Sequence, residues 1–129
     1  MKRGASATVL LVLSVCTAVA RDIPLAEVLA KPRDFDGKRV ALTGYYVAAT
    51  ETSCLFTTRD AAKRFDIARS IWVEFRTPPI LDSIAGHQSR LVGTFHYSPR
   101  VKAGILREYG HNNGWSVALL DVTEFHRLR

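Results

Sequence analysis

Residues 39–50 read RVALTGYYVAAT, and the composition of this stretch indicates a β fold. Val, Leu, Thr and Tyr side chains favour extended structure, and turn-forming residues flank the stretch at 34–38 and at 51–53. Gly44 lies near its centre, where a glycine is typical of a bulge or a sharp bend in a strand. We therefore predict one long strand that bends near its middle.

Four later stretches carry the same signature of β-forming residues. The second strand is predicted to pair back on the first as a hairpin, and the fourth strand carries a central glycine, Gly93. Residues 117–120 are continuously apolar, which predicts that the last strand is buried on both faces. The predicted strands are residues 54–57 (CLFT), 70–75 (SIWVEF), 89–97 (SRLVGTFHY) and 115–126 (WSVALLDVTEFH).

Two short helices complete the predicted fold. Leu25, Val28 and Leu29 have the spacing of an amphipathic helix. Pro32 predicts that this helix ends at the residue before it. Residues 59–65 are polar and alanine-rich, which indicates one or two helical turns between the second and third strands. The chain is thus predicted to be mainly β, a small five-stranded OB-like barrel with an N-terminal helix and a short helix between strands.

Residues 1–20 have the three parts of a secretory signal peptide. A positive start (residues 1–4) precedes an apolar run (residues 5–17), and residues 18–20, Ala-Val-Ala, match the small-x-small pattern of a cleavage site. The apolar run is shorter than the roughly 20 residues of a membrane span. We predict cleavage after this triplet, which leaves an OB-like β-barrel domain of residues 21–129 that is periplasmic or secreted.

An uncleaved anchor and a lipoprotein are the alternatives to simple cleavage. A lipoprotein would carry its lipid on Cys16, but Val15 is larger than the small residue that a lipobox places before its cysteine. After cleavage only Cys54 remains, so the mature domain has no intrachain disulfide. We predict that Cys54 is a small apolar residue in a strand, with an intermolecular disulfide or a reactive thiol as the alternatives.

The composition is that of an ordinary globular domain. Hydrophobic residues make up 47% of the chain and charged residues 23%, which excludes a wholly disordered chain. Removal of residues 1–20 takes away two of the 18 basic residues and none of the 12 acidic ones, which leaves a net charge of +4. A dedicated nucleic-acid binder concentrates positive charge more strongly than this.

Residues 27–46 (EVLAKPRDFDGKRVALTGYY), 70–75 (SIWVEF), 90–95 (RLVGTF) and 114–125 (GWSVALLDVTEF) combine a helix, an F-D-G-K turn and strand patterns. In this combination the chain resembles a family of small exported bacterial OB-fold proteins. The resemblance implies the OB-fold for most of the mature chain and implies no catalytic residue, because that family has no established activity. The predicted inter-strand helix lies one strand earlier than in the common OB order, so a more generic small barrel is the alternative.

No group of residues predicts an active site. The chain has no G-x-S-x-G elbow for a nucleophilic serine and no cluster of glycines ahead of a helix to hold a phosphate. The histidines are not spaced as a metal motif; they are His87, His96, His111 and His126. We therefore predict no catalytic residues, no metal site and no cofactor, and we expect that the protein is not an enzyme.

The connection between the fourth and fifth strands is the strongest candidate for a binding site. In an OB-fold this connection overhangs the binding face, and binding residues concentrate on loops that a rigid scaffold holds. The alternative is a long hairpin whose charges keep the protein soluble. The candidate binding residues are Arg100, Lys102, Arg107, Tyr109 and His111.

The sheet face is a second candidate, because OB-type domains stack bases on aromatic rings beside a basic groove. The alternative is that most of these rings fill the core. The aromatic residues are Tyr45, Tyr46, Phe56, Trp72, Phe75, Tyr97, Tyr109 and Trp115. The basic residues that could border a groove are Arg59, Lys63, Arg64 and Arg69, together with the three in the loop.

Our leading hypothesis is a non-enzymatic exported binding module whose partner is an envelope protein or an anionic envelope component. The mild positive charge would aid encounter with an anionic surface. The alternative is nucleic-acid or oligosaccharide binding on the sheet face. Nucleic acid is the less expected partner, because an exported protein rarely meets it, and the mature chain is predicted to have no transmembrane span.

Overall fold

Short helices and longer strands make up the chain. The computed structural model describes residues 20–49, 51–77, 85–99, 109–110 and 114–128. In chain order, the elements are β1 (Arg21–Pro24), α1 (Leu25–Ala30), α2 (Pro32–Phe35), β2 (Arg39–Ala49), β3 (Thr52–Phe56), α3 (Arg59–Lys63), a 3-10 turn (Ile67–Arg69), β4 (Ser70–Phe75), β5 (His87–Tyr97) and β6 (Val117–Arg127).

Five of the strands close into a mixed barrel. β2 pairs antiparallel with β3, β3 antiparallel with β4, β4 parallel with β6, and β6 antiparallel with β5. β5 then pairs antiparallel with β2, and this pairing closes the ring. The prediction of a mainly β, five-stranded OB-like barrel with an N-terminal helix and a short helix between strands is confirmed.

Pro32 separates two helices. Lys31 has a φ of −133°, outside the helical range, as expected for the residue before a proline, so α1 ends at Ala30. The fixed φ of Pro32 suits the first turn of a new helix, and α2 follows at once, whereas the sequence predicted a turn from residue 34 onwards. The apolar face predicted for α1 is confirmed, because Leu25 and Val28 are buried in the barrel core.

Strand β1 is the one strand of the described chain that the sequence did not predict. It pairs in parallel with residues 40–43 of β2, although only Ile23 among its four residues is buried. Asp22 is fixed by an ion pair to Arg90 of β5, with 2.8 Å between Oδ1 and Nε. The hydrogen bond from Arg90 lowers the pKa of the Asp22 carboxyl.

Two glycines permit close approach between neighbouring strands. A Cβ atom on Gly44 would lie 2.4 Å from the backbone oxygen of Phe56, and one on Gly93 would lie 2.8 Å from the backbone oxygen of Leu120. The β5–β6 register is irregular on either side of Gly93, as is typical of a glycine within a strand. The absence of a side chain at Gly44 therefore leaves room for the backbone of β3.

Apolar side chains from all strands fill the barrel. α1 packs onto this core, and two aromatic rings, those of Tyr46 and Phe95, are wholly buried in it. The Tyr46 hydroxyl is paired with the Ser53 hydroxyl at 2.8 Å, so its polar end is satisfied. The other fully buried core residues include Val28, Val40, Leu42, Leu55, Ile71, Val73, Leu91 and Leu119.

Candidate binding surfaces

The predicted loop site is described only near its end. Tyr109 is half-buried, whereas Arg100, Lys102, Arg107 and His111 lie outside the described residues. The binding role of these four residues therefore remains a prediction. What the structure does describe is how the end of this connection is held against the barrel.

Trp115 anchors the end of the connection. The sequence predicted Trp115 within the last strand, but β6 begins at Val117. Trp115 instead pairs with Tyr109 through two backbone hydrogen bonds, of 2.9 and 3.0 Å, and we call this antiparallel pair of residues the hairpin. Only 6% of Trp115 is exposed, so the hairpin is seated on the barrel by a buried indole.

The Trp115 indole is hydrogen-bonded to Ser70, the first residue of β4. Its Nε1 donates a hydrogen bond of 2.9 Å to the Ser70 hydroxyl in a buried environment. That hydroxyl donates in turn to the backbone oxygen of Ile67, at 2.9 Å. Gly110 lies against the ring, where a Cβ atom would come within 2.3 Å of the indole. The hairpin position thus depends on a hydrogen-bond chain and on a glycine.

The aromatic residues divide into an inner and an outer group. Tyr46 and Phe75 pack with the barrel core. Around Trp115 a second group forms on the outside of β3 and β4, which we call the outer aromatic cluster; it contains Phe56, Phe65, Trp72, Tyr109 and Trp115. The Trp72 and Trp115 ring centres lie 5.2 Å apart. The structure therefore brings together half of the rings that the sequence proposed for a stacking face.

Phe65 caps the outer aromatic cluster from the solvent side. Its ring centre lies 5.8 Å from that of Phe56 and 6.3 Å from that of Trp115, yet 46% of the residue is exposed. Its φ is +49°, in the left-handed region that bulky residues avoid. No sequence pattern predicted an exposed ring here, because the backbone geometry of Phe65 arises where the chain turns between α3 and the 3-10 turn.

A cleft runs between α1 and the chain that leads into β4. Two cavities, of about 240 and about 510 Å³, adjoin there, and Leu29 and Ala68 line both. We call this feature the α1 cleft. The larger cavity is further lined by Ala26, Ala30, Thr57, Thr58 and Arg69. The smaller one is further lined by Pro32, Ile67, Ser70, Tyr97, Trp115, Ser116 and Val117.

Each end of the α1 cleft has an arginine. Arg69 lines the larger cavity and its Nε lies 3.6 Å from a carboxylate oxygen of Asp66. At the other end, the Arg33 guanidinium carbon lies 5.5 Å from the centre of the Tyr97 ring. Such cation–π contact holds a guanidinium over a ring without neutralising its charge. Apolar side chains and hydroxyl groups therefore both line the cleft, and an arginine stands near each end, of which Arg69 is ion-paired to Asp66.

Cys54 is buried in β3 and forms no disulfide. Burial raises the pKa of its thiol to about 12, so the sulfur stays protonated at neutral pH and lacks the thiolate that nucleophilic chemistry needs. This agrees with the prediction of a small apolar residue in a strand. Among the described residues, no three His, Cys, Asp or Glu side chains lie close enough together to hold a metal ion.

The fold and the two surfaces define a small β-barrel protein with an apolar cleft beside its N-terminal helix. No family model matches the chain, and no curated protein or solved structure shows significant similarity to it. In the described ranges, no helix has the length and apolar character needed to cross a membrane.

Proposed function

We propose that this protein is a non-enzymatic binding module of the cell envelope, exported by its N-terminal signal, and that it holds an extended, acidic segment of a partner protein in the α1 cleft. The observation that carries this proposal is a cleft with apolar and hydroxyl-bearing walls, with Arg69 on its lining and Arg33 against Tyr97 near its other end. The other envelope components that the sequence suggested are alternative outcomes of the test.

The α1 cleft suits an extended chain better than a compact ligand. Its two cavities share Leu29 and Ala68 in their walls, and the larger is within the range of 300 to 1,000 Å³ that is typical of ligand sites. Ala26 and Ala30 are exposed on α1 and have short side chains, so the helix side of the larger cavity has low walls. Hydroxyl groups on the opposite wall could bond a peptide backbone.

The sheet-face alternative rests on the outer aromatic cluster. Phe56 and Trp115 are buried there, so the rings that solvent reaches are Phe65, Trp72 and Tyr109. Base or sugar stacking needs an open ring face. The alternative therefore depends on fewer rings than the sequence suggested, whereas the cleft is already open.

Cross-linking from two positions in the α1 cleft tests this proposal. A photo-crosslinking amino acid at Ala30 or at Ala68 should give the same adduct in cells, since both positions face the cleft. Arg33→Ala with Arg69→Ala should weaken that adduct about tenfold or more, because charge-assisted hydrogen bonds contribute on the order of 1.5–3 kcal/mol each. Adduct yield is measured on gels, and mass spectrometry identifies the partner.

The control positions for this experiment lie on the barrel away from the cleft. The cross-linker at Glu124, which is exposed on β6, should give no such adduct. An Ala26→Trp variant, whose indole would occupy the larger cavity, should remove the adduct while the protein stays folded. An adduct that appears equally at Glu124, or that survives Ala26→Trp, would exclude the α1 cleft as the binding site.

Export predicts a shortened chain in cells. The purified protein is expected to have the mass of residues 21–129, with Arg21 as its first residue, because the triplet at residues 18–20 fits signal cleavage. Intact mass spectrometry with cell fractionation measures this. A lipid adduct on a chain that begins at Cys16 would indicate a lipoprotein instead, and an uncleaved chain in the cytoplasm would contradict export.

A further inference from the structure

Phe65 is held as a fixed, exposed ring on a basic ridge, residues 59–69. α3 is rigidly seated: the Thr58 hydroxyl accepts a hydrogen bond of 3.0 Å from the backbone of Ala61, and Ala61 is buried. The ring itself rests on Phe56 and Trp115. Within the described part of the chain, the other large hydrophobic residue exposed to solvent is Leu128, at the end of the barrel strand β6.

The charges of this ridge are unbalanced toward the positive. It has four basic and two acidic residues. Arg64 pairs with Asp60, with 3.0 Å between Nη2 and Oδ2, and Arg69 pairs with Asp66. Arg59 and Lys63 are exposed and form no ion pair within the described ranges. Two positive charges therefore stand beside the one exposed ring of the outer aromatic cluster.

We propose that this ridge docks the protein on an anionic lipid surface, with the Phe65 ring inserted at the headgroup level and Arg59 and Lys63 against the headgroups. An exposed aromatic ring beside basic side chains is the combination that holds peripheral proteins at a charged interface. With its left-handed backbone, Phe65 holds an apolar ring partly in water, so the ring contributes little burial free energy to the fold. Insertion into the interface gives that ring the apolar surroundings it lacks.

A lipid surface fits this ridge better than a nucleic acid strand does. Single-stranded nucleic acid needs successive open ring faces along a charged groove. Here the rings beneath Phe65 meet it edge-on or tilted, at interplanar angles of 86° and 57°, and Phe56 and Trp115 are buried. Phe65 is the one exposed ring of the cluster, and the half-buried Trp72 and Tyr109 do not supply the successive open ring faces of a stacking path.

Vesicle flotation of the protein purified from cells tests this proposal. Vesicles of equal parts phosphatidylglycerol and phosphatidylcholine should bind the protein, and vesicles of phosphatidylcholine alone should not. Arg59→Ala with Lys63→Ala should weaken binding about 25-fold, about fivefold for each charge near the surface. Phe65→Gly should weaken it about tenfold. Glycine tolerates the φ of +49° at this position, so this variant keeps its fold.

Matched variants separate the ridge from overall charge and apolarity. Lys38→Ala with Arg127→Ala changes the net charge equally at exposed positions outside the ridge, and Leu128→Ala removes the other exposed apolar residue. Both should bind vesicles within about twofold of the unchanged protein. Equal loss in these controls, binding to neutral vesicles, or salt-sensitive binding of a single-stranded oligonucleotide in place of vesicles would overturn the proposal.

The three residues that carry this inference, Arg59, Lys63 and Phe65, do not line the α1 cleft. Ala26→Trp should abolish the partner adduct and leave vesicle binding intact. Phe65→Gly should weaken vesicle binding and leave the partner adduct intact. Loss of both properties in either variant would mean that the ridge and the cleft are one surface, and would overturn separate membrane docking.

Discussion

Gly44→Ala is expected to lower the free energy of unfolding by about 3 kcal/mol. The new Cβ would lie 2.4 Å from the backbone oxygen of Phe56 and 3.0 Å from the Cγ atom of Leu55. A backbone oxygen within a β ladder cannot move aside as a flexible side chain can. β2 and β3 would have to separate where they pair from residue 45 onwards.

Gly37→Ala is the matched control. Gly37 precedes β2 with a φ of +78°, and a Cβ atom there would meet nothing within 4 Å. Its substitution should cost only the strain of a left-handed backbone, about 1 kcal/mol. Urea unfolding followed by tryptophan fluorescence measures both variants. If Gly44→Ala costs no more than Gly37→Ala, the close approach of β2 and β3 does not limit stability.

The barrel strands were predictable because their residues agree locally with the fold. β4 occupies residues 70–75, as predicted, because four of its six residues are β-branched or aromatic and favour a strand. The long strand β2 was predicted as a single element despite Gly44, at which the sequence indicated a bulge or a sharp bend. α1 was predicted from its apolar spacing alone.

The remaining elements depend on contacts between distant residues. β1 has one buried residue and a proline, so nothing local favours a strand; it forms because β2 offers an unpaired backbone edge at residues 40–43. The α1 cleft has the same origin. Leu29 was predicted on an apolar helix face, but no pattern indicated that Ala68, nearly 40 residues later, would face it across a cavity.

The burial of Trp115 illustrates how a strand prediction can miss a site. Its neighbours continue into β6, and β-forming residues extend the predicted strand back to residue 115. The side chain instead points onto Ser70 and Trp72, and its backbone pairs with Tyr109. A buried hydrogen-bonded indole satisfies both its apolar ring and its polar nitrogen, and this outweighs two more residues of strand pairing.

The same indole joins the loop to the α1 cleft. Trp115 lines the smaller cavity and also belongs to the outer aromatic cluster. Ile67 also lines that cavity and packs against the outer aromatic cluster. The Ser70 hydroxyl accepts a hydrogen bond from Trp115 and donates one to the backbone of Ile67. A change in the hairpin that displaces the indole should therefore reshape one end of the cleft.

Gly110→Ala is expected to displace that indole and to lower the free energy of unfolding by about 3 kcal/mol. The new Cβ would lie 2.3 Å from Cε3 and 2.7 Å from Cζ3 of Trp115, and the φ of +91° adds backbone strain. The ring can move only if it breaks its Nε1 hydrogen bond to Ser70 or its contact with Trp72. Fluorescence emission should shift to longer wavelength as the indole meets water.

Gly114→Ala is the control, because it shows whether any methyl group added next to the hairpin displaces the indole. A Cβ atom on Gly114 would lie 3.9 Å from the Cδ1 atom of Ile67, an ordinary van der Waals distance. Its emission spectrum and stability should stay close to those of the unchanged protein. Because the displaced indole borders the smaller cavity, Gly110→Ala should also reduce the cross-link from Ala68. An unshifted emission spectrum in Gly110→Ala would show that the hairpin accommodates the methyl group without moving Trp115.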